Sequence, residues 1–150
     1  MISFFVPGKP IPQGSAKAFN VGGKARVFTG ASNESTPLGG WRARIAHFAA
    51  QEMKKGDLQI YSGAVKVRVD FVLEAPKKFA KKPSTPAISR RCGDIDKLCR
   101  AVLDGLTGVC FDDDSQVTGL DASKGYRQPG VTCWGKSGVA INVYFLEPFK

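Results

Sequence analysis

The chain has 150 residues, 43% hydrophobic and 23% charged, with 22 Lys and Arg against 13 Asp and Glu, for a formal net charge of +9. That length suits one domain with a real core, and the balance is that of an ordinary globular protein, which excludes wholesale disorder and fibrous classes. No apolar run reaches the roughly 18 residues of a membrane helix, and Met1 to Pro7 lacks the basic and long apolar regions of a signal peptide, so a cytoplasmic protein with no membrane partner is expected.

In chain order, Ile2 to Val6 is an apolar, aromatic run closed by Pro7-Gly8, which predicts a strand ending in a turn. Residues 7–36 are rich in Gly, Pro, Ser, Lys and Asn and carry Lys9, Lys17, Lys24 and Arg26 with no acid before Glu34, the composition of a basic arm or loop suited to a phosphate backbone. Thr36 as N-cap and Pro37 at the first helical position start a helix, although Gly39-Gly40 weakens its first turn and points to a delayed start at Trp41. Leu38, Trp41, Ile45, Phe48, Ala49 and Met53 recur at three and four, and the helix is expected to end near Lys54-Lys55-Gly56. His47 lies off that stripe and is assigned no chemistry.

Val65, Val67, Val69 and Phe71 alternate with Lys66, Arg68 and Asp70, a strand with one buried face. Residues 75–93 then contain Lys77, Lys78, Lys81, Lys82, Arg90 and Arg91 with no acid, a basic loop suited to phosphate. A second helix follows, with Ile95, Leu98, Cys99, Val102 and Leu106 inward and Gly105 or Gly108 near its end. Gln116 to Ser123 is a further strand candidate, and Val139, Ile141, Val143 and Phe145 alternate in a final one. The order predicts a single α+β domain over 1–150, with a mixed sheet packed against two main helices. Cys92, Cys99, Cys110 and Cys133 form no C-x-x-C pair, so buried free thiols are expected rather than zinc ligands.

Seven of the thirteen carboxylates, Asp94, Asp96, Asp104, Asp112, Asp113, Asp114 and Asp121, fall in one region whose only cations are Lys97 and Arg100. A basic chain that concentrates its acids attracts a polyanion over most of its surface and repels it there, unless a hard cation such as Mg²⁺ is shared between carboxylates and phosphate. Asp94 and Asp96 can project around the start of the second helix, and Asp114, from a loop, would complete an oxygen cage. Each aspartate alone also has a structural explanation: Asp94 as helix cap, Asp96 and Asp104 each four residues from Arg100, and Asp112 to Ser115 as a solvated turn.

Asp94-Ile95-Asp96-Lys97-Leu98, then Arg100-Ala101-Val102-Leu103-Asp104-Gly105-Leu106, then Asp113-Asp114-Ser115-Gln116-Val117 closely resembles the signature of the RusA-like crossover junction endodeoxyribonucleases, the small Holliday junction resolvases common in phages and prophages. Phe5-Val6-Pro7-Gly8-Lys9-Pro10 and Trp41-Arg42 are similar to phage members with less specificity. The resemblance implies a homodimer that binds four-way DNA junctions and, with Mg²⁺ or Mn²⁺ and no small-molecule cofactor, makes paired nicks. It puts the metal on Asp94, Asp96 and Asp114, with Asp113 beside them. The family's functional lysine falls on Arg100, which keeps the charge but not the compact ammonium. Lys124 matches a basic residue usual after the Gln-Val strand; with Lys97 and the six cations of the basic loop it makes up the expected DNA-binding set. Two readings compete: a non-catalytic DNA-binding protein with the same fold, and a nucleotide-sugar transferase using Asp-x-Asp for Mn²⁺. The latter motif would end an apolar strand, whereas here it opens a helix.

Overall fold

Alternation in the most regular strand sets the architecture. The computed structural model describes residues 1–14, 17–21, 24–28, 36–77, 86–88, 93–128 and 135–147, with backbone alone for 17–21 and 24–28. Strand β4 (Val65–Leu73) buries Val65, Val67, Val69 and Phe71 completely and leaves Lys66 and Arg68 exposed. It is central in a four-stranded sheet of order β1-β6-β4-β5, where β1 is Ile2–Pro7, β5 Val117–Tyr126 and β6 Gly138–Phe145. β6 runs antiparallel to both β1 and β4, while β5 runs parallel to β4, so the sheet is mixed. The fold is α+β in one domain, as the residue pattern predicts.

Helices α1 (Pro37–Lys55) and α2 (Ile95–Leu106) pack on each other and cover one sheet face. α1 begins at Pro37 rather than at Trp41: the Thr36 hydroxyl accepts the Gly39 N–H at 3.1 Å, and that cap offsets the weakness of Gly39-Gly40. Leu38, Trp41, Ile45, Ala49 and Met53 are buried, Phe48 partly so, and His47 is exposed. In α2 the inward set is right except for Ile95, which is 36% exposed because the first turn overhangs the sheet edge. Gly105 is the point of closest approach: a Cβ there would lie 2.9 Å from Ile45 Cβ and Cγ2 and 3.1 Å from the Arg42 carbonyl.

The basic arm is not only a loop. Lys17–Val21 and Lys24–Phe28 form an antiparallel hairpin, β2–β3, in which Val21 faces Lys24. Composition concealed what the two-residue spacing around Gly22-Gly23 announces. Cys99 and Cys110 are buried free thiols; burial, and for Cys99 the Asp96 charge as well, pushes them up to about 11 and about 12, so both stay protonated at neutral pH. Cys92 and Cys133 lie outside the described residues.

Gly105→Ala is expected to destabilise the protein although alanine is the better helix former by about 1 kcal/mol. Overpacking a filled contact costs about 1–3 kcal/mol, and the Arg42 carbonyl cannot move aside as a flexible side chain would. The urea midpoint should fall for Gly105→Ala and fall further for Gly105→Val; an unchanged midpoint in both would mean that α1 and α2 are not held at this distance.

Candidate active site

The start of α2 is built from three directions. Gly93, at φ +82°, turns the chain into the helix, and its carbonyl accepts the Lys124 ammonium at 2.9 Å from the far end of β5. The Gln13 N–H donates to the Lys97 carbonyl at 3.0 Å, so the segment leading to the β2–β3 hairpin is tied to the first turn of α2. Asp94 occupies the N-cap position, yet its carboxylate caps no backbone N–H. It lies instead 3.4 Å from Lys97 Nζ and is 70% exposed, which leaves its oxygens available to an outside ligand. Asp96 and Arg100 are exposed on the same flank, one turn apart.

A second acidic group stands where β5 begins. Asp113 caps the short 3-10 turn Asp114–Gln116; its carboxyl is held below the usual carboxylate range first by the Ser115 N–H, at 2.8 Å, and then by the Ser115 hydroxyl. Gln116 fixes the loop with its whole amide: Oε1 accepts the N–H groups of Asp112 and Asp113 at 2.8 and 2.9 Å, and Nε2 donates to the carbonyls of Tyr61 and Gly63, both at 2.8 Å. Asp112 and Asp114 are exposed. Gln116 was not among the candidate residues, although Asp113 followed three residues later by Gln116 is the sequence form of a capping box.

The acids are less concentrated in space than along the chain. Asp104 pairs with Arg42 of α1 at 3.3 Å, and Asp121 pairs with Lys66 of β4 at 3.1 Å. Arg100 therefore does not bridge Asp96 and Asp104, and among the described residues it forms no ion pair. The remaining acids fall into two groups at opposite ends of α2. Among the described residues, no three His, Cys, Asp or Glu side chains are gathered closely enough to hold a metal ion. One ion shared by Asp94, Asp96 and Asp114 thus does not fit a single chain, because β4 and β5 are parallel and the helix between them carries Asp94 and Asp114 to opposite sheet ends.

Of the expected DNA-binding residues, Lys77 is exposed just beyond the end of β4, and Lys97 and Lys124 stand at the start of α2. Lys78, Lys81, Lys82, Arg90 and Arg91 lie outside the described residues. Ala87, between them in sequence, is buried with Leu73 and Tyr126, so the basic stretch is tethered at the sheet end that also carries Asp94.

No helix among the described residues is long and apolar enough to cross a membrane. No curated protein matches the chain. The profile of the endodeoxyribonuclease RusA family matches residues 7–133, a span that takes in the hairpin, both helices, the basic stretch and both groups of aspartates. With most of its length matched, the chain belongs to the RusA endodeoxyribonuclease family, which implies Holliday-junction-resolving nuclease activity.

Proposed function

We propose that the protein is a homodimeric, cytoplasmic resolvase that binds four-way DNA junctions and introduces paired symmetric nicks in the presence of Mg²⁺ or Mn²⁺. The observation that carries this reading is the exposure of Asp94, Asp96 and Asp114 on a chain of net charge +9, while the neighbouring Asp104 and Asp121 are neutralised by Arg42 and Lys66. Exposed carboxylates at a surface that must meet phosphate are unfavourable for binding, so their role lies in the reaction and not in the grip. A divalent cation would let carboxylates and phosphate share the site.

The chain's own cations divide the remaining work. Lys77 and the basic stretch after it supply backbone contacts, which position DNA without reading its sequence. Lys97 and Lys124 are partly spent on Asp94 and the Gly93 carbonyl, so they shape the helix start as well as facing DNA. Arg100 is the cation best placed to meet the scissile phosphate: it is exposed, one turn from Asp96, and its planar fork suits two phosphate oxygens. Two nicks in a two-fold substrate require two sites, which a C₂ pair of chains provides.

Incubating the protein with mobile and fixed four-way junctions, Y-forks and linear duplex, with and without Mg²⁺, tests the whole reading. Metal-dependent paired nicks in junctions are expected. Binding without cleavage in any metal would leave a DNA-binding protein that retains the fold.

Asp94→Asn, Asp96→Asn and Asp114→Asn should each abolish cleavage while preserving junction binding, or tightening it in the absence of metal, since each removes a charge that repels phosphate. Gel-shift and cleavage assays on the same preparations check this; equal loss of both activities in folded protein would mean a structural role. Arg100→Ala should lose cleavage far more than binding, whereas Arg100→Lys should retain substantial activity because an ammonium still reaches the phosphate. Near-normal cleavage by Arg100→Ala would remove Arg100 from the reaction. Replacing Lys77, Lys78, Lys81 and Lys82 by Ala should flatten the salt dependence of junction binding, by about 0.9 in log–log slope for each duplex phosphate that is no longer neutralised. An unchanged slope would make the run a solvated surface.

A further inference from the structure

We infer that each active site is shared between two copies of the chain, Asp94 and Asp96 coming from one protomer and Asp114 from the other, brought together twice by a two-fold axis crossing the middle of β5 and α2. The inference rests on the proposed reading of these aspartates as cleavage machinery, and it arises from their failure to meet within one chain.

The separation is built into the fold. α2 has 12 residues and so spans about 18 Å, with Asp94 at its start and Asp114 beyond its end. The strand beside it gives the same scale, because Val117 to Lys124 is seven steps of β5, roughly 23 Å. Both ends are fastened: Lys124 holds the Gly93 carbonyl at 2.9 Å, and Gln116 holds Tyr61 and Gly63 at 2.8 Å. Oxygens around one Mg²⁺ lie about 2.1 Å from the ion, hence within about 4 Å of one another in adjacent positions. An aspartate side chain is too short to bridge a gap set by a whole helix.

A two-fold interface makes the contact that is missing. It is isologous, so if end one of the first copy meets end two of the second, the reverse contact forms as well. Two chains with α2 and β5 antiparallel across an axis midway between the acidic ends would form two equivalent sites, each with three aspartates. The midpoint of Val117 to Lys124 falls at Leu120 and Asp121, and the surface there is suited to a second copy. β5 is an edge strand, pairing among the described residues only with β4. Its middle has no Pro or Lys to guard the open edge, and the one charge there, Asp121, is already neutralised by Lys66. Leu120, paired in register with the core residue Val67, lies on the helix side of the sheet but is 43% exposed; Ala122, paired with Val69, is exposed beside it. The half-exposed Ile95 adds apolar surface at the α2 end. Uncovered apolar side chains thus stand where the axis must pass.

The test is complementation between inactive chains. An Asp94→Asn/Asp96→Asn chain and an Asp114→Asn chain, with different tags, are co-expressed and the mixed dimer is purified. A shared site puts all three substitutions in one site and none in the other, so the mixed dimer should regain one nick per junction, and Mn²⁺ calorimetry should find one site per dimer where either parent dimer has none. If each chain supplies a whole site, both sites of the mixed dimer stay defective; this result, with active wild-type protein, overturns the shared site and leaves the function standing. Wild-type protein inert on every junction would overturn both. Leu120→Asp, at an exposed position, should sediment as a monomer and lose Mn²⁺ binding with every aspartate intact. A Leu120→Asp monomer that still binds Mn²⁺ would also overturn the inference.

Discussion

The parallel pairing of β4 with β5 is the constraint on which the arrangement of this protein depends. Parallel neighbours cannot be joined by a tight turn, so the chain must return across the sheet, and α2 is that return. Its first residue therefore stands over the sheet end where β4 and β5 finish, and its last over the end where they begin. The string from Asp94 to Gln116 reads as one motif on paper, but the crossover pulls it into two places. The basic stretch before Gly93 follows the first of these, because it connects the finish of β4 to the start of the same helix.

Most of the elements were legible in the residues because their patterns are local. Val65 to Phe71 and Val139 to Phe145 alternate with period two, and Trp41, Ile45, Ala49 and Met53 recur with period four; each pattern matches a buried face. The misreadings arose where a second local signal competed. Gly39-Gly40 weakens a helix start that the Thr36 cap restores, and the Lys- and Gly-rich composition of the arm masks a hairpin whose strands are only five residues each. Ile95 fits the apolar stripe of α2, yet a stripe says nothing of where the surface beneath it ends.

The site was legible as a set of residues and illegible as a place. Proximity in sequence suggested that the seven aspartates share one neighbourhood, with Lys97 and Arg100 as their only counter-charges. In space, Arg42 from α1 and Lys66 from β4 each take one of them, and Lys124 reaches the start of α2 from a strand that follows the whole motif. Such partners are set by tertiary packing, which spacing along a chain does not encode. The exposed carboxylates of Asp94, Asp96 and Asp114 are what remains once these pairs are subtracted, and they coincide with the positions marked by the family resemblance.

The loop that carries Asp112, Asp113 and Asp114 is held by an uncharged strut. Gln116 uses both acceptor positions and both donors on backbone partners, so the loop keeps its shape whatever the protonation of the acids it presents. The same economy makes the loop vulnerable to chemical ageing. Hydrolysis of one amide, Gln116 to Glu, would turn the Nε2 donor into a charged acceptor facing the carbonyls of Tyr61 and Gly63, and would add a like charge beside three aspartates. So small a chemical change at this position would release the loop from the sheet while leaving every acidic residue in place.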